Sequence, residues 1–221
     1  MWWRRAAVTL AGLALLGACS GEAEQPEPTR GDGAGTPVAA VEEVHAMVRD
    51  GDFDGAANLT VPNHAALASL AEGATFADVA DALAQGDLEV AANFWSGFAQ
   101  AAGDSFLADV EAEDLGATTS GSSTFAVVGI ASDDFGSREV VTQDVDGYRV
   151  DLFASFGGGL APRMLSPVEI LLTSATDDAR LILAELEGVV ASLEIAAANP
   201  ELTADEMEAV LQLIGLITRV G

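Results

Sequence analysis

TFAVVGIASDDFGSREVVTQDVDGYRVDLF, which spans residues 124–153, is the stretch that decides the fold. Three runs within it, at 124–131, 138–144 and 148–153, are rich in β-branched and aromatic residues and predict β-strands. Asp146-Gly147 separates the last two runs and is a strong signal for a tight hairpin turn. A shorter run at 106–110 predicts one more strand. We therefore expect an antiparallel sheet that packs on helices through one face.

The chain before the sheet is predicted to be helical. Thr36-Pro37 is an N-cap followed by a proline at the first helical position, and valines then recur at helical spacing, which predicts a helix over 37–49. Shorter helices are expected at 53–59, 64–71 and 76–84. The clearest helix is expected at 87–102, where Phe94, Trp95 and Phe98 lie on one stripe.

The chain after the sheet is predicted to be helical again. The sequences 166–169 (SPVE) and 203–206 (TADE) each fit a capping box, so helices are expected to begin near residues 167 and 204. Between them, apolar residues from Ile182 to Leu193 share one side of a helix that ends before Asn199-Pro200. We expect this helix to form an αα-hairpin with the last helix. The matching apolar stripe on the last helix consists of Met207, Val210, Leu211, Ile214 and Ile217.

The first nineteen residues have the organisation of a secretory signal peptide. Arg4 and Arg5 precede an uncharged apolar stretch, Ala6 to Leu16, which is too short for a permanent transmembrane helix. Leu16-Gly17-Ala18-Cys19 follows and is similar to the lipobox of bacterial lipoproteins. The resemblance implies that the thiol of Cys19 is joined to diacylglycerol and that the chain is cleaved between Ala18 and Cys19.

Four segments are expected along the chain. Residues 1–18 are the lipoprotein signal peptide, and residues 19–37 are a flexible tether, because Ser20 to Thr36 contains almost no large apolar residue. Residues 38–160 form an α+β domain, and residues 161–221 form a helical C-terminal extension. Cys19 is the only cysteine, which excludes an internal disulfide bond and a cysteine-based metal site.

The charge of the chain is strongly negative. Nine arginines, no lysine and 35 acidic residues give a formal net charge of -26. Loss of Arg4 and Arg5 with the signal peptide leaves seven arginines against 35 acids, or -28. This composition argues against a nucleic-acid partner, since phosphate binding needs clustered cations. It also predicts repulsion from anionic lipid headgroups.

Residues 38–154 resemble the α+β cone domains related to nuclear transport factor two, SnoaL-like proteins and ketosteroid isomerase. The resemblance rests on an opening helix that ends in RDGDFDGAA (49–57), a late sheet, and the closing sequence DGYRVD (146–151). It implies helices on a curved, cone-like antiparallel sheet with a cavity between the two. Phe94, Trp95, Phe98 and Tyr148 are the candidate lining of that cavity, although an aromatic stripe at helical spacing more often forms ordinary core.

Several sequence features that could take part in metal binding or catalysis also have a simpler structural explanation. Asp50 to Gly55 begins like a calcium loop, but Val61 stands where a bidentate glutamate is required, and the stretch also suits a turn between helices. His45 is expected to be partly exposed and ion-paired with Glu42 or Arg49. His64 is expected at a helix start. We predict no catalytic residue and no metal site.

The remaining sequence motifs do not match the known catalytic loops that they most resemble. Asp151 could be an acidic group inside a ligand-binding pocket. The simpler interpretation is that it lies on the last strand and faces outward. Gly157-Gly158-Gly159 follows that strand without the spacing of a dinucleotide-binding loop, and no Gly-x-Ser-x-Gly sequence is present.

We therefore predict an envelope protein anchored by the lipid on Cys19 at the extracytoplasmic face of the cell membrane. The domain is expected to be noncatalytic, to need no cofactor, and to bind a small apolar ligand or a partner protein. One alternative is a cone-fold enzyme, an isomerase or hydrolase, whose apolar cavity holds an acid or base with a perturbed pKa. The other is a purely structural surface module, which needs no pocket.

Overall fold

Four antiparallel strands form one sheet in the order β1-β2-β3-β4. The computed structural model describes residues 31–86, 88–103, 109–132 and 136–219. Asp146 and Gly147 have positive φ angles of 51° and 94° in the turn between the last two strands, which confirms the predicted hairpin. The strands are β1 Glu111–Ser120, β2 Ser123–Ser132, β3 Gly136–Asp144 and β4 Tyr148–Val150.

The first strand lies later in the chain than the sequence predicts. Of the expected strand 106–110, residues 106–108 lie outside the described ranges, and β1 begins at Glu111. Nearly every residue of β1 is exposed, so the strand carries no alternation of apolar and polar residues that could reveal it. It forms because it pairs with β2 along its whole length.

Nine α-helices occur in the described ranges. The N-cap of the first helix is confirmed, because Thr36 Oγ1 accepts a hydrogen bond from the Ala39 N–H. The capping box at the start of the last helix is confirmed as well, with Thr203 and Glu206 bonded reciprocally. The helices are α1 Pro37–Asp50, α2 Phe53–Asn58, α3 His64–Ala68, α4 Phe76–Gln85, α5 Leu88–Ala102, α6 Leu152–Thr173, α7 Asp177–Gly188, α8 Val190–Ala197 and α9 Ala204–Ile217.

The predicted helix start near residue 167 is wrong. Asp151 caps α6 fifteen residues earlier, so β4 ends at Val150, and both Pro162 and Pro167 lie inside the helix. A proline in a helix interior costs about 3 kcal/mol. That cost is offset here by burial, since Met164, Val168 and Leu171 on the same helix are fully buried.

Helices cover both faces of the sheet, whereas the sequence predicted one. On the first face, α1 packs against Val128 and Ile130 of β2. On the other face, Phe125 and Val141 pack with Ala154 of α6 and with α8. A separate core forms among the C-terminal helices and α3 and α4, and its largest fully buried members are Leu67, Leu70, Phe153, Met164, Leu171, Ile182, Leu186, Leu193, Leu213 and Ile217.

The two edges of the sheet differ. The outer edge of β4 is covered, because Ala34 exchanges backbone hydrogen bonds with Tyr148 while Leu59 and Val61 bond to Val150. The edge of β1 is open but carries acidic residues and a bulge between Asp114 and Gly116, features that discourage pairing with another strand. Residues 33 and 34, which the sequence assigned to the tether, thus form backbone hydrogen bonds with the β3–β4 hairpin.

Residues from Gly31 onward form one compact unit. The boundary predicted at residue 160 falls inside α6, which belongs to both the sheet face and the helical core. The predicted signal peptide, the predicted cleavage after Ala18 and the predicted lipid attachment at Cys19 all fall outside the described residues. Among the described helices, none combines the length and the apolar character that crossing a bilayer requires.

Candidate functional site

The aromatic residues predicted to line a cavity do meet in the structure. Phe94, Trp95 and Phe98 of α5 are joined by Phe156 of α6, and the centroids of their contacting rings lie 5.3–6.4 Å apart. The rings pack against one another, and Trp95 is only 3% exposed. They belong to a hydrophobic cluster that also contains side chains of α1, α2 and the sheet.

Two of these side chains have further roles in the core. Trp95 Nε1 donates a 2.8 Å hydrogen bond to Thr60 Oγ1, and that hydroxyl donates to the Ala56 carbonyl. Tyr148 is half-buried on β4 and packs against the same core cluster. The predicted set is therefore a packed group of side chains, with Phe156 as the member that the sequence did not suggest.

A buried polar cluster joins three residues that are distant in the sequence. Asp151 is fully buried at the N-terminus of α6, His64 begins α3, and Ser192 lies on α8. Ser192 Oγ donates a 2.7 Å hydrogen bond to Asp151 Oδ2, and the Ala154 N–H donates to Oδ1. His64 Nδ1 lies 3.2 Å from Oδ1, close enough for an ion pair but outside good hydrogen-bond geometry.

The electrostatics of this cluster favour an ionised carboxylate. Burial of Asp151 acts to raise its pKa, but the charge of His64 and the hydrogen bonds that Asp151 accepts outweigh burial, so the net effect is a lowered pKa. The expectation that Asp151 faces outward from a strand is wrong. Its side chain turns inward because it caps a helix whose first turn is buried.

The order of groups in the cluster differs from that of a hydrolytic triad. A nucleophilic serine needs a histidine as its immediate base, with the carboxylate behind that histidine. Here the carboxylate of Asp151 lies between the serine and the histidine. The Ser192 hydroxyl therefore donates its hydrogen bond to a carboxylate, and this arrangement does not activate the serine as a nucleophile. The arrangement is suited to holding α3, α6 and α8 together.

The other sequence candidates have structural roles. His45 is 5% exposed on α1, so the expected partly exposed position is wrong. The acidic turn at 50–55 joins α1 to α2, as the plainer interpretation expected. Within it, Asp52 Oδ1 accepts from the Gly55 N–H and caps α2.

Arg149 holds the chain where it enters the domain. Its side chain is 3% exposed, and its guanidinium donates to the carbonyls of Gly31, Asn58 and Val145. Burial lowers the pKa of Arg149, against the opposing charges of Asp146 and Asp32. The residue thereby ties the first described segment, the end of α2 and the β3–β4 turn to one another.

An open groove of about 650 Å³ runs between α6 and α9. The sequence placed Met207 and Leu211 in the hairpin interface, but Leu211 is 55% exposed and Met207 is 36% exposed. The apolar arc of α9 is wider than its contact with α6 and α8, so Val210 and Ile217 are buried while these two are not. The groove is lined by Leu165, Glu169, Ala204, Met207, Glu208, Leu211, Gln212, Gly215, Leu216 and Arg219.

Two features of the site were hard to find from the sequence. Ser192 is a lone hydroxyl in the apolar run VVASLEIAAA (189–198), which is the one hint that it has a buried partner. Glu169 and Glu208 face one groove only because α6 and α9 pack together.

Comparison with known proteins gives no matching family model, no matching curated protein and no matching solved structure.

Proposed function

We propose that this chain is a lipid-anchored envelope protein on the extracytoplasmic face of the cell membrane, and that it acts by binding rather than by catalysis. The single observation that carries the binding role is the open, partly apolar groove between α6 and α9. Its occupant is a small apolar ligand or a partner protein. Large exposed leucine and methionine side chains that gather in one groove are characteristic of binding surfaces.

The support for anchoring is the lipobox at Leu16 to Cys19. Each methylene buried in a bilayer contributes about 0.8 kcal/mol, and two acyl chains provide stable attachment where one does not. Eleven residues, Ser20 to Arg30, separate Cys19 from the first described residue. Fully extended, such a segment reaches at most about 40 Å, so the domain stays close to the membrane surface.

The support for binding over catalysis comes from the buried cluster. Asp151 is a fully buried acid whose pKa is lowered by its surroundings, and both of its oxygens are occupied by groups of the protein itself. None of His64, Asp151 and Ser192 lines the groove. An isomerase or hydrolase would need such a group at a surface that substrate reaches.

The finer description of the fold belongs to the same proposal. The helix predicted from Ile182 to Leu193 is divided at Val189 into α7 and α8. We propose a cone-like sheet followed by a C-terminal αα-hairpin, in which α7 and α8 together form the first arm and α9 the second. Contacts of α1 with all four strands support the first, and contacts between α8 and α9 support the second.

Replacement of Cys19 tests the anchoring. With Cys19→Ala, the protein should leave the membrane fraction, because no thiol remains to carry diacylglycerol. The wild-type protein should stay with the membrane, and mass spectrometry of its N-terminus should show acyl chains on Cys19. Fractionation followed by immunoblotting measures the distribution.

Ser20→Ala is the matched control, since it changes the neighbouring residue and keeps the thiol. It should fractionate with the wild type. Persistence of Cys19→Ala in the membrane fraction, or a wild-type N-terminus without acyl mass, would overturn the anchoring.

A further inference from the structure

We propose that the groove between α6 and α9 is the docking site for a basic amphipathic helix of a partner protein. This inference rests on the proposed binding function and adds the chemistry of the partner. It follows from the apolar lining of the groove, from its size and from the charge around it.

The lining of the groove suits the apolar face of a helix. Leu165, Met207, Leu211 and Leu216 contribute flexible, unbranched or γ-branched side chains, which adapt to the shape of an incoming helix. Leu211 is more than half exposed, so a partner that covers it gains the free energy of burying a leucine. Helices commonly bind to grooves of this kind through residues spaced three and four apart.

The size of the groove favours one helix over a folded partner surface. Ten residues line it, whereas a standard interface between two folded proteins uses about 20–30 residues on each side. The lining on the α9 side extends from Ala204 to Arg219, which corresponds to about 22 Å at 1.5 Å per residue. A helix of about four turns covers that length.

The negative charge around the groove distinguishes between the possible partners, each of which could offer an apolar surface. Glu169 and Glu208 line the groove against the single cation Arg219, and the whole chain carries a formal charge of -26. A second copy of this chain and an anionic lipid surface both bring negative charge, so both are repelled. A helix with lysine or arginine on its polar face is attracted, and its association is accelerated.

The test uses the full chain with Cys19→Ala, purified without detergent, so that binding is measured independently of anchoring and no amphiphile competes for the groove. The probe is a synthetic amphipathic helix of about 15 residues with leucine on one face and lysine on the other. Isothermal titration should show that it binds at least about tenfold more tightly than the same helix with glutamate in place of lysine. Leu211→Ser should weaken binding of the lysine helix by about tenfold or more.

Leu115→Ser is the matched control for the apolar contact. Leu115 is 51% exposed on β1, away from the groove, so its replacement removes a similarly exposed leucine and should leave the affinity unchanged. Glu169→Gln with Glu208→Gln should weaken binding and reduce its salt dependence. Glu43→Gln with Glu113→Gln removes two exposed carboxylates elsewhere, and it should have a smaller effect.

Three outcomes overturn the proposal. The first is equal binding of the lysine and glutamate helices, and the second is an affinity that Leu211→Ser leaves unchanged. The third is a dimer in light scattering that Leu211→Ser converts to a monomer, because the groove would then be covered by a second copy. Each outcome is independent of whether Cys19 carries lipid, so a failure here is distinct from a failure of anchoring.

Discussion

Asp151 connects three parts of the molecule through one side chain. It caps α6 through the Ala154 N–H, accepts from Ser192 of α8, and lies against His64 of α3. Removal of the carboxylate leaves the Ser192 hydroxyl and the Ala154 N–H without their strong acceptor inside the core. The cluster therefore matters more to stability than its small size suggests.

We predict that Asp151→Asn lowers the free energy of unfolding at neutral pH by about 2–3 kcal/mol, because the neutral amide accepts the two buried hydrogen bonds more weakly than the carboxylate. The folded-state pKa of Asp151 is lowered, so its contribution is fully present above the unfolded pKa of about 4 and is lost as the pH falls through the folded value. The difference between wild type and variant should therefore shrink below about pH 4. Urea unfolding at a series of pH values measures it.

Two further variants make this result interpretable. Ser192→Ala removes only one hydrogen bond of the cluster, so it should cost about 1–2 kcal/mol and remain folded if Asp151→Asn does not. Asp81→Asn replaces an exposed aspartate of α4 and should change stability by less than about 0.5 kcal/mol. A difference between wild type and Asp151→Asn that stays constant down to pH 2 would contradict the assignment.

At the scale of elements, α6 is the helix around which the C-terminal half packs. It contacts α7, α8 and α9 on its helical side and β3 on its sheet side. Gly157-Gly158-Gly159, which the sequence placed after a strand, lies within it. A Cβ at Gly157 would lie 2.9 Å from Ala196 Cβ, so the absence of a side chain lets α8 approach closely.

We predict opposite effects for alanine at two of these glycines. Gly157→Ala should destabilise the protein by about 1–3 kcal/mol, because the Cβ of Ala196 is fixed to the backbone of α8 and cannot rotate away. Gly159→Ala should stabilise it by about 0.5–1 kcal/mol, since no atom lies within 4 Å of the added Cβ and alanine is the better helix former. Thermal or urea unfolding of the two variants measures both.

The pair is internally controlled, because both substitutions raise helix propensity at neighbouring positions of α6. Stabilisation by both substitutions would show that propensity, and not the contact with α8, governs this helix.

At the scale of the whole molecule, the dominant feature is unbalanced negative charge. The described ion pairs are few and include Arg49 with Asp109 and Arg180 with Asp177, both at the surface. Most of the 35 acidic residues therefore repel one another across the surface. Compactness is maintained against this repulsion by the cores on both sides of the sheet.

We predict that added salt raises the melting temperature at neutral pH. At 0.15 M salt the screening length is about 8 Å, which weakens repulsion between exposed carboxylates but leaves the buried cluster of Asp151 almost unaffected. Calorimetry between low and moderate sodium chloride measures the change. A melting temperature that stays flat or falls over this range would contradict the prediction.

Local sequence determined the elements whose signals lie within a few residues. Thr36-Pro37 begins α1, Asp146-Gly147 forms the hairpin, and Thr203 with Glu206 begins α9, because caps and tight turns are set by neighbouring side chains and backbone. The α+β class followed from the change of hydrophobic period.

Tertiary structure alone decided where distant residues meet. The Ser166-Pro167 sequence resembles a helix start, yet it lies inside α6 because buried packing outweighs a local cap. The packing of the helices brings together the cluster of His64, Asp151 and Ser192. It also leaves Leu211 exposed, because helical periodicity predicts an apolar arc but not how much of that arc a neighbouring helix covers. Burial and ion pairing are properties of contacts between remote segments, so only the folded chain fixes them.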